Sequence, residues 1–365
     1  MTREYQICTR CVMDTTDPEI AFDEKGVCNH CTNYLKLLNQ NILQEPERTT
    51  TLKRLISKIH EEGKNKEYDA ILGVSGGVDS TFMAFKAKEL GLRPLAVHLD
   101  NGWNSKLAVS NIERVLKRID VDLYTHVIDW EEFKDLQLAY FKASVIDIEA
   151  ITDHAIVAVI YDIAVRHKVK YIISGYNLAT EGILPRSWVW NKTDVVNLRD
   201  IHSKFGTKKL KTFPTMGFLK YAYRRKIRGY KSIQLLNYLD YNRAKAKQFL
   251  MDDFGWEDYG GKHHESLFTK FYQAYVLPTK FNVDKRKAHL STLILSGQIT
   301  REDALKTLEE PLYDEIELKR DKEYVLKKLG LTESEWEHLM TLPIRRHDEF
   351  KTDLRLRKLI QFIRS

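Results

Sequence analysis

The chain has 365 residues, a formal net charge of +7 and 43% hydrophobic residues. That length predicts about two domains with a substantial core, and the balance excludes a disordered or fibrous protein. The longest apolar runs, such as 155–160, are far too short to span a bilayer, and a modest positive charge suits nucleotides or an acidic sugar as well as RNA.

The first residues, Met1-Thr2-Arg3-Glu4-Tyr5, carry no apolar signal region, so a cytoplasmic location is expected. All four cysteines follow at once, as Cys8-x2-Cys11 and Cys28-x2-Cys31. Two CxxC turns at this separation match a structural zinc ribbon, in which each turn presents two thiolates to one tetrahedral metal. Two disulfides or a redox pair are the competing readings, and a reducing compartment disfavours the first. His30 lies inside the second pair and is read as a bystander. If zinc takes all four thiolates, no cysteine remains for a covalent glutaminase step or for carrying sulfur.

Helical spacing of Leu35, Leu38, Ile42, Leu52, Ile56 and Ile59 fills the stretch up to Gly63. The apolar run 70–74 then reads as a buried strand, and 81–90 as a helix stopped by Gly91. Between them lies Ser75-Gly76-Gly77-Val78-Asp79-Ser80. Strand, Gly-rich turn and helix aim free backbone N–H groups and the positive helix end at a phosphate. Ser75 and Ser80 add hydroxyls, and Asp79 is placed to hold a Mg²⁺ bridging phosphate oxygens. The spacing fits neither a Walker A loop nor a G-x-G-x-x-G dinucleotide fingerprint.

A second strand over 94–99 delivers Asp100-Asn101-Gly102, either a nucleotide contact at a strand end or a turn. Helix 105–118, strand 123–128, helices 130–144 and 153–167, and strand 169–173 follow, the last delivering Ser174-Gly175. This alternation predicts an α/β fold with a doubly wound, mostly parallel sheet. His154 is expected to be a satisfied, partly buried histidine. Residues 204–231 are rich in Lys, Arg and Tyr, and read as a solvated face or an anionic-sugar site rather than a nucleic-acid surface. Gly260-Gly261-Lys262-His263-His264-Glu265 offers a cation and acid–base groups, and Lys285-Arg286 a second phosphate clamp. Beyond Ile299 the chain is charged and helical, with Leu308, Leu326, Leu329 and Trp336 directed inward. The expected organisation is a zinc-binding segment at 1–45, an ATP-binding α/β domain at 46–250 and a helical region at 251–365 that contributes to the active site.

The loop SGGVDS resembles the PP-loop of the ATP pyrophosphatases, which adenylate an oxygen and displace AMP with a nucleophile. Together with HLDNGWNS, ISGYNLATEGILPRSW, YGGKHHES and DKRKAHLS, the chain is similar to the N-acetyl sugar amidotransferases of bacterial surface-polysaccharide biosynthesis, within the PP-loop (HUP-like) superfamily. The resemblance implies that ATP adenylates an acetamido oxygen of a nucleotide-activated N-acetyl sugar and that ammonia then displaces AMP, leaving an acetamidino sugar. It implies ATP contacts from Ser75, Gly76, Gly77, Val78, Asp79, Ser80, Asp100 and Gly175, with Mg²⁺ on Asp79 and structural Zn²⁺ on Cys8, Cys11, Cys28 and Cys31. The catalytic set would be Asp79, Lys262, His263, Glu265, Lys285 and Arg286. The implied partner is a separate glutaminase with an ammonia-channelling barrel. RNA-modifying PP-loop enzymes carry paired aspartates after the Gly175 position, where this chain has Ala179 and Thr180. That departure, and the lack of further cysteines, weighs against a thiolase or lysidine synthase. A non-catalytic nucleotide-binding subunit is the third alternative.

Overall fold

The computed structural model describes residues 4–260 and 265–362. Five strands form one parallel sheet: β1 (Ala70–Gly73), β2 (Pro94–Asp100), β3 (Asp122–Val127), β4 (Tyr171–Ser174) and β5 (Lys231–Gln234), in the order β3-β2-β1-β4-β5. The chain builds outward from β1 through β2 to β3, then returns to place β4 and β5 on the other side. The order therefore reverses between β1 and β4, and in such sheets ligands bind outside the carboxyl ends of the strands at that reversal. The loop 75–80 and Gly175 both leave the sheet there.

Each face of the sheet is covered. Helices α1 (Asn29–Asn41) and α2 (Glu47–Gly63) precede the sheet, and α3 (Val78–Glu89) and α4 (Lys106–Arg118) connect its first strands. Val78, Met83, Ala84 and Ala87 of α3 pack with Ile112, Val115 and Leu116 of α4 against Leu72 and Ala96. On the opposite face, α6 (Ala150–Arg166) buries Ala158, Val159 and Ile163 against Ile71, Val97 and Ile172. Strand β5 was not expected from sequence. Its residues Lys-Ser-Ile-Gln bury only Ile233, so no alternation of apolar residues marks it, and its pairing with β4 alone makes it a strand.

A third core lies beside the sheet rather than within it. It joins the cysteine segment (Cys8, Cys11, Cys28, Cys31) to Trp103, to Phe133 and Phe141 of α5 (Trp130–Ala143), and to Phe268, Phe271, Val325 and Trp336. Packing thus runs across the divisions at 45 and 250. Of the residues expected to point inward, Leu326, Leu329 and Trp336 are buried and Leu308 is only half-buried. Among the described residues, no helix is long and apolar enough to cross a membrane.

The basic stretch is held from within. Asp135 of α5 accepts from the Thr207 and Lys208 amides, the Thr207 hydroxyl and the His202 ring, and Glu132 accepts from the amides of Lys211, Thr212 and Phe213. Burial works to raise Asp135, but these donors outweigh it and hold its carboxyl down at about 2. Two acidic residues spaced one helical turn apart therefore fix the path of residues 207–213.

Candidate active site

A cavity of about 640 Å³ opens at the carboxyl ends of β1 and β4. It falls within the size range of small-molecule sites. Ser75, Gly77, Val78, Asp79, Ser80 and Gly175 line it.

The loop is built by a small set of local bonds. The Ser75 amide donates to Ser80 Oγ at 3.2 Å, the Gly77 amide to Ser75 Oγ at 3.3 Å, and Ser80 Oγ to the Gly77 carbonyl at 3.2 Å. Gly76 takes φ +86°, and a Cβ there would meet the Ala108 carbonyl oxygen at 2.8 Å. Both facts require glycine. The Trp256 indole N–H donates to the Gly76 carbonyl at 3.1 Å and fixes that peptide. Gly76 supports the turn but is not among the cavity-lining residues. Gly175 sits so close to the first turn of α3 that an added Cβ would lie 3.0 Å from Ser80 Cα.

Asp79, in the first turn of α3, receives two hydrogen bonds that sequence did not reveal. Thr180 Oγ1 donates to one carboxylate oxygen at 3.1 Å and the Tyr241 hydroxyl to the other. Burial, reinforced by the Asp79 charge, pushes the Tyr241 phenol well above its ordinary range, so it stays a donor. This clamp orients the Asp79 carboxylate. Thr180 thus does a specific job at the position where paired aspartates were missed.

The far wall comes from the distant C-terminal region. Residues Asn104 and Ser266 form an antiparallel bridge, with the Ser105 amide donating to the Glu265 carbonyl at 2.9 Å and the Leu267 amide to the Trp103 carbonyl at 3.0 Å. This pairing brings Glu265 to the loop mouth, where a Cβ on Gly77 would lie 3.6 Å from its Oε1. Burial, together with the Glu265 charge, raises the neighbouring Tyr259 phenol well above its usual value. Lys285 caps the helix Arg286–Leu295 and lines the cavity, as does His289 one turn later. Lys192, which also lines the cavity, pairs with Asp147 at 2.7 Å and Asp153 at 2.9 Å. Burial works to raise Asp147, but the Lys192 and Lys285 ammonium groups overcome it and keep the carboxyl below its ordinary range. Glu149 accepts from the Thr269 hydroxyl at 2.6 Å and Gln273 Nε2 at 3.1 Å.

Two expected contacts are placed elsewhere. Arg286 spends its guanidinium on Asp284, at 2.9 Å, and on the carbonyls of Thr307 and Glu310 at 3.1 and 2.8 Å. It ties two helices together and does not line the cavity. Asp100 accepts from the Gly102 amide at 2.8 Å and closes the turn, while its neighbours Asn101 and Asn104 face the cavity. Arg243, which no local pattern marks, lines the loop end of the cavity and supplies the cation there that Arg286 does not. Lys262 and His263 lie outside the described residues.

The cysteines converge on one point. Their ligand atoms all lie within 4.8 Å of one another, with Cys8–Cys31 and Cys11–Cys28 Sγ separations of 3.7 Å and a Cys28–Cys31 separation of 3.6 Å. Four sulfurs at a Zn–S distance of about 2.3 Å would stand about 3.8 Å apart, whereas a disulfide requires about 2.05 Å. The amides of Arg10 and Cys28 donate to Cys8 Sγ at 3.4 and 3.2 Å, which favours thiolate. His30 bonds Asp17 at 2.6 Å and is no ligand. The cluster rests on the cavity wall: the Val12 amide donates to Ser291 Oγ at 3.1 Å, and Arg301 donates to the carbonyls of Cys11 and Cys8.

Residues 265–364 match the family described as "LPS biosynthesis protein WbpG-like, C-terminal domain". The C-terminal region is thus similar to that family's C-terminal domain. It is this WbpG-like region that supplies Glu265, Lys285 and His289 to the cavity. An uncharacterized protein of Methanocaldococcus jannaschii is 25% identical over 325 residues, which cover 85% of this chain and 97% of that protein. Among solved structures, an NH3-dependent NAD synthetase from Campylobacter jejuni is 16% identical, with 73% of this chain and 99% of that one covered and a TM-score of 0.32. An NMN synthetase from Francisella tularensis is 19% identical, with 38% and 58% covered and a TM-score of 0.30.

Proposed function

We propose that this chain is an ATP-dependent amidotransferase of polysaccharide biosynthesis, converting the acetamido group of a nucleotide-activated N-acetyl sugar into an acetamidino group. The observation that carries this reading is that one cavity joins the phosphate-type loop 75–80 to a polar wall from the WbpG-like region. In the reaction, the acetamido oxygen attacks the α-phosphorus of ATP and pyrophosphate leaves. Ammonia then adds to the imidate carbon, and AMP departs carrying the former acetamido oxygen. The Ser75 and Ser80 hydroxyls at the loop mouth and the start of α3 would hold the pyrophosphate, with Arg243 offsetting its charge. Asp79 would hold Mg²⁺, which supplies further charge for the leaving group. Lys192 and Lys285 face the sugar end, and Glu265 stands between the two ends, placed to take a proton from the entering nitrogen.

The cysteine cluster is read as a structural zinc site, closed by four thiolates. All four cysteines of the sequence are engaged there, so this chain has no thiol for glutamine hydrolysis. Ammonia would come from a separate glutaminase through a sheltered path, because protonation in bulk water removes the reactive lone pair. The test is purified chain with ATP, Mg²⁺, ammonium chloride and UDP-linked N-acetyl sugars, following AMP and pyrophosphate. Release of both that depends on the sugar is expected. ADP formation, or AMP release driven by tRNA instead of sugar, would overturn the reading.

A further inference from the structure

Residues 218–228 form an exposed helical segment that passes from an α-turn (Phe218–Ala222) into a π-turn (Tyr223–Ile227). Its inner side is tied down. Tyr221 packs edge-on to Tyr161 of α6 with ring centroids 5.3 Å apart, Arg224 pairs with Asp162 at 2.6 Å, and Lys170 Nζ donates to the Arg228 carbonyl at 2.8 Å. Its outer side carries Leu219, Tyr223 and Ile227, which are 59%, 52% and 73% exposed. Their spacing of four residues puts them on one stripe. Isolated exposed apolar residues are ordinary, but three in a row on one anchored element are a patch. Cations ring it: among the described residues, Arg225, Lys226 and Arg228 have no carboxylate within ion-pair distance. A hollow of about 330 Å³ next to the stripe is lined by Arg225, Lys226 and Lys231 together with Tyr230, Ser232 and Ile233.

We propose that this segment is a membrane-docking element that seats its apolar stripe in the interface of an anionic bilayer, with a lipid phosphate in the adjoining cationic hollow. An apolar stripe bordered by lysine and arginine fits that surface, where burial and charge attraction act together. An acidic protein would satisfy the cations, yet it would leave three large apolar side chains without a matching feature. Since Tyr221 and Ser232 also line the main cavity, docking sets that wall of the cavity nearest the lipid. The inference stands apart from the reaction proposed above, because it concerns only the outer side of the segment.

The experiment is vesicle co-sedimentation of the full chain, comparing phosphatidylcholine alone with mixtures containing about one-third phosphatidylglycerol. Binding to the anionic vesicles only is expected, weakening at least about tenfold between low and high salt. The variant Leu219→Ser/Tyr223→Ser/Ile227→Ser should lose at least about tenfold in partitioning, with its thermal melting retained because these side chains face solvent. Arg225→Glu/Lys226→Glu provides an independent check on the charge and should also lose binding. Absence of vesicle binding by the parent chain overturns the proposal, as does equal binding by both variants. Vesicle binding abolished by inorganic phosphate but untouched by the apolar variant would identify a soluble-anion site instead. A self-association that the apolar variant disperses, without vesicle binding, would identify a second copy as the occupant; both results contradict the proposal.

Discussion

The two ends of the cavity are built in opposite ways. At the loop end, strand, turn and helix are contiguous over 70–89, and the bonds among Ser75, Gly77 and Ser80 join residues no more than five positions apart, with one long-range bond added by Trp256 to the Gly76 carbonyl. At the other end, Lys285 arrives by way of a helix clamped to the cysteine segment, and Glu265, between the two ends, arrives by pairing with residues near Asn104. A local signal suffices to shape a loop of the phosphate-binding type, whereas the other end depends on several distant segments agreeing. Damage to the first should therefore remove chemistry with modest loss of stability, and damage to the supports of the second should loosen the fold.

The largest effect should come from the cysteine cluster. Cys11→Ser should release the metal and cost on the order of 5 kcal/mol of stability, since metal binding and folding are one equilibrium in such sites. Metal analysis of the parent should find about one zinc per chain. Iron with sulfide, or a disulfide by mass spectrometry, would show that the cluster is something else.

Asp79→Ala should lower AMP formation by about 10³-fold, the scale for losing a charge-stabilising contact at the leaving group. It should also lower the melting point modestly, because the buried Tyr241 hydroxyl loses its acceptor, at about 1–3 kcal/mol. Asp79→Asn keeps an acceptor and should melt nearer the parent while remaining slow. Normal turnover in either variant would break the contrast between the two ends.

Adjacent residues provide a sharper comparison. Lys285→Ala should reduce turnover by about 10²-fold with little change in melting, since its side chain faces the cavity. Arg286→Ala should do the reverse, destabilising the protein by about 2–3 kcal/mol because Asp284 and two carbonyls lose a shared donor. Paired melting curves and initial rates would show whether these roles are exchanged.

The smallest effect is in pH. Burial is the main cause lowering both His154 and His347 to about 4. The unfolded chain takes up these protons near pH 6.5 and the folded chain only near 4. The stability they preserve is complete above about pH 6.5 and is lost progressively as the pH falls toward 4. Denaturant melts across that window should slope downward toward acid, and His154→Asn should flatten the slope. A flat profile in the parent would contradict the neutral pairing of His154, whose Nδ1 donates to the Lys192 carbonyl at 2.8 Å and whose Nε2 accepts from the Met216 amide at 3.1 Å.

What sequence revealed follows the same division. The strand before SGGVDS, the helix after it and the CxxC pairs were legible because spacing and turn chemistry are local. Thr180 and Tyr241 were not, since each earns its meaning only by meeting Asp79 across 101 and 162 positions of chain. Lys285 and Arg286 look equivalent in sequence, and only the nearby Asp284 and helix-end carbonyls separate them. Arg243 begins a helix with no apolar or glycine pattern around it to mark a site. Strand β5 was hidden in a basic run because a four-residue edge strand needs only one buried side chain.

The central claim is that the acetamido oxygen leaves on AMP. The measurement is to label that oxygen with ¹⁸O in the N-acetyl sugar nucleotide, supply ATP, Mg²⁺ and ammonium, and analyse the products by mass spectrometry. The account predicts one labelled oxygen in the AMP phosphate for each amidino sugar formed. Unlabelled AMP, with the label kept in the sugar or lost to water, would contradict it.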